Sequence, residues 1–501
     1  MDALAALPVL AFERPPIDWH AVAPELTFLA VGALLTILDV VFLERGRKFM
    51  AAAAGLGLLV TLIPILTLAA DGTDRSLFGG AFVVDEFALV MKALFLVSGY
   101  IVVLLSTNYI AEGDYWENEY YGLLLAALMG MVLMASARDL VTIFVALELL
   151  SIPAYLLAAW RKRDFEGNEA GMKYFLMGVF ASAIMLYGMS LLYGAAGDTR
   201  LAAIGEVVGQ GESLPFVTLG VVFTLVGFAF KVSAVPFHSW APDTYQGAPT
   251  PITAFLAVAS KAAGFVALVQ LVFVGFYGRD DVYGPMFWAL AILTMTVGNL
   301  VALRQTNIVR LLAYSGIAQA GYILSALAVA GDVGDRALQA IVVYLVIYAA
   351  MNLGAFAVVI AVARKTRSGH TQSYGGLFEY APVLAVSMAV FLFSLAGIPP
   401  LGGWYAKLAI FQVTVDGGGW LGYSLAIAVA VNSVIGLYYY ANIARQMFMN
   451  PVPDGDTTPI RVPFSLVAAL VITVVVTVAL GVQPNLLDDN ITGVSLLASG
   501  N

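Results

Sequence analysis

The chain has 501 residues, of which 61% are hydrophobic and only 11% are charged, and its mean hydropathy is +0.90. Soluble domains carry about 25% charged residues, so this composition excludes a soluble protein and indicates one polytopic membrane domain. The net charge of −9 argues against nucleic acid as a partner. With no cysteine, the chain cannot form disulfides or thiolate-held iron–sulfur clusters, and three histidines without an HExxH motif make a structural metal site unexpected.

The chain starts without a recognisable cleavable signal peptide, and Met1–His20 is expected to be an exposed arm. About 20 apolar residues suffice to cross a bilayer as a helix. The connections between such runs are short, so no extramembrane domain is expected, and the longest connection, Ala195–Leu214, should lie on the membrane surface. The sequence predicts fourteen spans, at 22–43, 49–70, 82–105, 121–137, 139–159, 172–194, 215–241, 251–277, 286–303, 308–330, 337–363, 383–411, 420–447 and 462–483.

The basic residues of the connections predict the orientation, because cytoplasmic loops are enriched in lysine and arginine. With the N-terminus outside, the inner connections hold thirteen basic residues and the outer ones six. Both termini are therefore expected to face outward. The inner set is Arg45, Arg47, Lys48, Arg161, Lys162, Arg163, Arg304, Arg310, Arg364, Lys365, Arg367, Arg445 and Arg461, and the outer set is Arg14, Arg75, Arg138, Arg200, Arg279 and Arg336.

The remaining five basic residues are all lysines within or at the edges of spans: Lys92, Lys173, Lys231, Lys261 and Lys407. Arginine stays charged in proteins, whereas a lysine taken out of water can lose its proton. Membrane lysines without arginines therefore indicate proton handling rather than fixed charge.

Some of the membrane charges have an ordinary structural explanation. Lys173 is expected to extend to the inner interface, where its ammonium remains hydrated. Lys92 is expected to pair locally with the acidic residues at the start of its span, of which Asp85 is seven residues away. Glu25 and Asp39 lie near opposite ends of the first span and are expected to reach the lipid headgroups.

Glu148 and Lys261 lie near the middle of their spans, where a charge costs roughly 3 kcal/mol even on lenient insertion scales. Each should therefore face a partner or water, as a static salt bridge or as part of a proton path. Lys231 is the expected partner of Glu148 across the fifth and seventh spans. Pro236 interrupts the seventh span near Lys231, and His238 follows with an imidazole suited to proton transfer.

A second interruption, "SLAGIPPLGGWYAKLAIF", precedes Lys407 in the twelfth span. Two Gly/Pro-interrupted spans at corresponding positions are typical of transporters built from repeats. The breaks are five spans apart, and an odd shift reverses the direction through the membrane. Spans four to eight (121–277) and nine to thirteen (286–447) are therefore predicted to be two inverted five-helix repeats.

These residues lie in segments that resemble a known family. The segments include "ARDLVTIFVALELLSIPAY", "FKVSAVPFHSWAPDTYQGAPTPITAFLAVASKAAGF", "SLAGIPPLGGWYAKLAIF" and "AVNSVIGLYYY". They resemble the antiporter-like membrane subunits N of respiratory complex I, the proton-pumping NADH:quinone oxidoreductase. The resemblance implies that Glu148 and Lys231 form a coupling pair. It also implies that Lys261, with His238 between, connects to Lys407.

The resemblance further implies a subunit of a proton translocase in the bacterial inner membrane, surrounded by other membrane subunits and lipid. Such a subunit would hold no cofactor, since FMN, iron–sulfur clusters and the quinone site would belong to other subunits. One alternative is a subunit of a multisubunit cation/proton antiporter without redox partners. Another is a related complex that accepts electrons from ferredoxin or F420.

Overall fold

The computed structural model describes residues 17–46, 49–112, 117–161, 163–209, 215–491, 494 and 496. The predicted N-terminal arm lies mostly outside these residues. In chain order the α-helices are α1 (Ala23–Gly46), α2 (Met50–Asp71), α3 (Glu86–Ala111), α4 (Glu117–Ser136), α5 (Leu140–Ala158), α6 (Phe165–Ala196), α7 (Leu201–Gly209), α8 (Pro215–Lys231), α9 (Trp240–Gly247), α10 (Thr250–Phe255), α11 (Lys261–Gln270), α12 (Asp280–Ala302), α13 (Ile308–Ala328), α14 (Ala330–Val333), α15 (Asp335–Thr366), α16 (Leu377–Tyr380), α17 (Pro382–Ala396), α18 (Gly402–Asp416), α19 (Gly419–Met449), α20 (Phe464–Val482) and α21 (Asn485–Ile491).

Membrane-spanning helices make up most of the chain, as the sequence predicts. Within the described residues, twelve helices are long and apolar enough to cross a membrane. One of them runs from Thr250 to Gly275 and contains α10 and α11 joined by π-helical turns. Two shorter apolar helices, α8 and α17, are each followed by a break and a second short helix. The two broken helices complete the predicted set of fourteen spans.

Three spans form the centre of the bundle. The helix Thr250–Gly275 is completely enclosed by protein, and α13 and α15 are nearly so, whereas α1, α6 and α19 expose apolar side chains outward. Small residues allow the central helices to approach closely, as is usual in membranes. A Cβ added at Gly321 of α13 would lie 2.6 Å from the backbone nitrogen of Met295 in α12. Lys261 lies on the central helix Thr250–Gly275 and contacts α13.

Two small elements outside the spans were not predicted. A two-stranded antiparallel hairpin, β1 (Arg75–Leu77) and β2 (Phe82–Val84), joins α2 to α3, so the described part of the chain is all-α apart from this hairpin and three isolated bridges. The long connection after α6 contains α7, an amphipathic helix that buries Leu201, Ile204 and Val208. That burial agrees with a helix lying along the membrane surface.

The structure corrects the expected partners of Lys92 and Glu25. The Lys92 ammonium lies 2.7 Å from the Glu25 carboxylate, and both side chains are buried. Asp85 is not the partner, because its carboxylate caps α3 at the backbone nitrogen of Ala88 and pairs with the buried Arg138 at 2.6 Å. Glu25 therefore faces the protein instead of the headgroups, because packing between helices supplies a counter-ion that sequence spacing does not reveal.

The buried pair predicts an unequal response to single and double substitution. Lys92→Met leaves the Glu25 carboxylate buried without its counter-ion, which should destabilise the protein by roughly 3–5 kcal/mol. The double variant Glu25→Gln/Lys92→Met removes both charges and should recover most of that loss. The measurement is the thermal unfolding midpoint of the purified protein in detergent. A single variant as stable as the parent would show that the pair contributes little.

Candidate functional site

The first break in the membrane helices ends α8 at Lys231. Pro236 cannot donate a backbone hydrogen bond, and Ser233 adopts a left-handed conformation with φ 61°. Backbone groups that the break releases are bonded by neighbouring side chains. The Trp240 indole donates to the Phe230 carbonyl at 3.1 Å, and the backbone N–H of Val235 donates to the Thr294 hydroxyl at 2.9 Å. The break is thus held by protein contacts in its buried first half, Lys231 to Val235, whereas Pro236 and Ser239 are exposed at the surface of this chain.

Lys231 is buried at the end of α8 among neutral oxygen atoms. Its Nζ donates to the Ser151 hydroxyl at 2.9 Å and to the Tyr174 hydroxyl at 3.3 Å. Tyr174 is held in place by stacking on Trp240, with ring centroids 4.5 Å apart. Among the described residues, no carboxylate lies within 4.0 Å of Lys231. The lysine therefore has hydrogen-bond partners without a direct counter-ion.

Glu148 lies on the same helix as Ser151, one turn before it. The Glu148 carboxylate is half-buried and accepts a 2.6 Å hydrogen bond from Ser182 of α6. Glu148 and Lys231 interact electrostatically. The predicted pairing across the fifth and seventh spans is therefore indirect, because Ser151 and not the carboxylate contacts the lysine.

Lys261 follows directly after the π-helical turn Leu256–Ser260 of the central helix. Such π-bulges are frequent at functional sites. The Lys261 Nζ donates to the backbone carbonyl of Gly316 in α13 at 2.7 Å. A Cβ at Gly316 would lie 2.9 Å from the Tyr348 hydroxyl and 3.3 Å from Lys261 Nζ, so only glycine leaves this space open.

Lys231 of α8 packs against the central helix close to Lys261. The aliphatic part of Lys231 packs over Gly264, where an added Cβ would lie 3.1 Å from Lys231 Cγ. Gly264 is one helical turn after Lys261. The aliphatic part of Lys231 thus packs against the helix that carries Lys261.

Lys407 belongs to the second break. Its Nζ donates at 3.0 Å to the carbonyl of Ala396, the last residue of α17. Gly397 then turns the chain with φ 89°, and a Cβ there would lie 2.8 Å from Lys407 Cδ. The break thus supplies both the carbonyl and the space that the lysine occupies. The other contact of the ammonium is the ring of Tyr322, whose centroid is 4.8 Å away.

A polar stripe on α13 lies between Lys261 and Lys407, and sequence reasoning missed it. Gln319 donates to the Leu395 carbonyl at 3.1 Å, next to the carbonyl that Lys407 uses, and to the Tyr440 hydroxyl at 3.3 Å. Ser315 shares a hydrogen bond with Tyr440 as well. The spacing of Ser315, Gln319 and Tyr322 on an otherwise apolar helix was a signal that could have predicted this buried face.

His238 lies in the first break, between Lys231 and α9. Its ring is half-buried, with the Nδ1 atom enclosed. Within the described part of the chain, the hydrogen bonds of Lys231, Lys261 and Lys407 go to other groups. The position of His238 between Lys261 and Lys407, which the family resemblance implies, remains a prediction.

An ion-pair cluster anchors α9 on the side predicted to face the cytoplasm. Asp243 accepts hydrogen bonds from Lys173 of α6 and Arg310 of α13, each at 2.8 Å, and Lys173 also pairs with Glu169 at 2.6 Å. Partial burial opposes the charge of the Asp243 carboxyl, but the hydrogen bonds and charges of Lys173 and Arg310 outweigh it and lower its pKa. Lys173 is partly exposed at the membrane edge, as expected from its position.

Comparisons with known proteins agree with this arrangement. Residues 137–436 match the family model described as "NADH:quinone oxidoreductase/Mrp antiporter, TM". The NADH-quinone oxidoreductase subunit N of Trichlorobacter lovleyi is 39% identical over 476 residues, which cover 94% of this chain and 96% of that relative. The chain belongs to the subunit N family of NADH-quinone oxidoreductases.

Solved structures give the same result. In the structure of respiratory complex I from Thermus thermophilus with bound aureothin, one chain is 33% identical with a TM-score of 0.77. The match covers 95% of this subunit N family member and 100% of that chain. A chain of the Mrp complex from Dietzia superposes with a TM-score of 0.81 at 22% identity, covering 95% and 96% of the two chains. The Mrp likeness shows the fold alone, and the family model covers both kinds of complex, so the relatives named subunit N are what favour NADH-quinone oxidoreductase over the cation/proton antiporter alternative.

Proposed function

We propose that this chain is a proton-translocating membrane subunit of NADH:quinone oxidoreductase, and that NADH oxidation and quinone reduction occur in other subunits. The observation that carries the proposal is a set of three buried lysines at and between the two breaks. We call Lys231, Lys261 and Lys407 the buried row. Among the described residues, each lysine contacts neutral oxygen atoms and none has a carboxylate within ion-pair distance.

Neutral partners leave the protonation state of each lysine free to change. A protonated amine donates three hydrogen bonds, whereas a neutral amine still donates while presenting a lone pair. The carbonyls of Gly316 and Ala396 can accept from Lys261 and Lys407 in either state. The hydroxyls of Ser151 and Tyr174 can either accept from Lys231 or donate to it. A direct carboxylate partner would instead hold the ammonium charged.

Glu148 is the residue through which we infer that coupling reaches the lysines. For two charges roughly 6 Å apart at an effective dielectric constant near 20, the interaction is about 3 kcal/mol. A change in the charge or position of Glu148 would therefore change the proton affinity of Lys231. His238 would carry protons at the cytoplasmic end of the same break.

The environment of Glu148 also supports neighbouring subunits as partners. A half-buried carboxylate in the middle of a membrane helix is costly unless it is covered. The adjacent surface is apolar, with Val145 and Ile152 of α5 and Phe180 of α6 exposed. We infer that a neighbouring membrane subunit covers this face. We expect no flavin, iron–sulfur cluster, quinone or metal ion to be bound by this chain itself.

The proposed orientation, with both termini outside, can be tested because the chain has no native cysteine. Thr73 and Thr457 are exposed in connections predicted to lie on opposite sides. In right-side-out membrane vesicles, a membrane-impermeant maleimide should label Thr73→Cys and should leave Thr457→Cys unlabelled until the vesicles are opened. The reverse labelling pattern would mean that the orientation is inverted.

Lys231→Arg tests the proposed function, because arginine keeps the charge and cannot release its proton. We expect an assembled complex whose ratio of protons moved to NADH oxidised in proteoliposomes falls, or whose NADH oxidation slows if coupling is tight. Lys365→Arg is the matched control, since Lys365 lies at the membrane edge on the ring of Tyr380, away from the buried row.

A Lys231→Arg complex with an unchanged rate and an unchanged proton ratio would rule out Lys231 as a protonation site.

Copurification distinguishes an NADH:quinone oxidoreductase from a cation/proton antiporter complex. The proposal requires NADH dehydrogenase activity, flavin and iron–sulfur signals with this chain, and an antiporter complex would show none of them.

A further inference from the structure

Lys407 makes fewer hydrogen bonds than Lys231 and lies closer to an aromatic ring, since Lys231 Nζ is 5.8 Å from the ring centroid of Tyr174. Lys407 donates one hydrogen bond, to the Ala396 carbonyl, and its Nζ lies over the ring of Tyr322 at 4.8 Å from the centroid. A lysine ammonium within about 6 Å of an aromatic face is attracted by the negative face of the ring. The side chain of Lys407 is buried, so this attraction is only weakly screened by water.

The helices around α18 bring tyrosines to this region. Neither α17 nor α20 contains a titratable residue, and the charged residues of α13, α15 and α19 lie near their ends. The acidic residue of α18 itself, Asp416, is nine positions beyond Lys407 and pairs with Arg336 at the outer end. The fully buried or nearly buried tyrosines of these helices are Tyr322 of α13, Tyr344 and Tyr348 of α15, and Tyr439 and Tyr440 of α19, and of these Tyr322 lies at the Lys407 ammonium.

Tyr322 is held with its ring face toward Lys407 by a buried hydrogen-bond network at its other end. The Asn299 amide of α12 donates to the Tyr322 hydroxyl at 3.2 Å. The same amide donates to Asn432 of α19 at 3.2 Å, and the Tyr439 hydroxyl donates to Asn299 at 3.0 Å. Two neighbouring helices thus fix a single ring, because the Tyr322 hydroxyl is bonded to Asn299 and Asn299 is bonded to α19.

We propose that Tyr322 is a positioning residue for proton translocation, which stabilises the protonated form of Lys407 through its ring face while Asn299 and Asn432 hold the ring in place. This inference rests on the proposed function. In this role the neutral ring takes the place of a carboxylate counter-ion. A ring attracts the ammonium without fixing the charge, so Lys407 can still release its proton.

The test compares variants of Tyr322 in the complete complex reconstituted into proteoliposomes. The quantity measured is the ratio of protons moved to NADH oxidised, followed from slightly acidic to alkaline pH. Tyr322→Leu removes the ring and should lower the pH at which the ratio falls to half by about one unit. Tyr322→Phe keeps the ring and loses only the hydroxyl bond to Asn299, so its profile should shift much less than that of the leucine variant. If the leucine variant does not assemble, Tyr322→Met fills more of the space without an aromatic face.

Tyr380→Leu is the matched control, because it removes a ring over Lys365, which lies outside the buried row. Its profile should not shift. An unshifted profile for an assembled Tyr322→Leu complex would overturn the inference. So would an equal shift in Tyr322→Phe, since the hydroxyl network rather than the ring would then be responsible.

Lys407→Met separates this inference from the proposed function. A lower proton ratio in Lys407→Met together with an unshifted Tyr322→Leu profile overturns only the role of the tyrosine. An unchanged ratio in Lys407→Met overturns the proposed function at this lysine and the inference with it. A lower ratio in Lys407→Met together with the shifted leucine profile supports both.

Discussion

An amine buried at mid-membrane depth must find oxygen atoms to replace its water, and this constraint organises the centre of the molecule. Lys261 and Lys407 obtain them from backbone carbonyls, and Lys231 obtains them from hydroxyls. A carbonyl is available to a side chain only where a helix is interrupted or where a neighbouring backbone approaches closely. The break after Ala396 and the glycine at position 316 meet these two conditions.

The choice of neutral partners separates the buried row from the other buried charges of the same chain. Lys92 with Glu25 and Arg138 with Asp85 are paired directly at 2.7 and 2.6 Å, as static ion pairs usually are. They join α1, α3 and the residues just before α5. The three lysines of the row have no such counter-ion among the described residues. The same side-chain chemistry thus serves stability at one site and, in our proposal, proton transfer at the other.

Much of this could be predicted from the sequence. Apolar runs define the spans because every backbone group in lipid must be bonded within its own helix. Pro236 and the Gly397–Gly403 segment mark the two breaks, which the structure places at Val232–Ser239 and Gly397–Leu401. The lysines could be singled out because charge is rare in such helices.

The contacts between helices could not be predicted from spacing along the chain. The partner of Lys92 comes from α1, and the oxygen that Lys261 uses belongs to α13, 55 residues away. The indirect link between Glu148 and Lys231 depends on Ser151, whose role is visible only once α5 and α8 are packed. The π-helical turns before Lys261 and near Gly275 also leave no signature in an evenly apolar segment. The two inverted repeats remain a prediction, although both breaks contain a residue in the left-handed conformation, Ser233 and Gly397.

The central claim is that the buried lysines act in series on one proton route. The most direct measurement is the number of protons moved per NADH oxidised in proteoliposomes for Lys231→Met, Lys261→Met and the double variant. If the lysines share one route, each single variant should lose the whole contribution of this subunit, and the double variant should lose no more. Losses that add in the double variant would contradict the account, because they would show that the two lysines act independently.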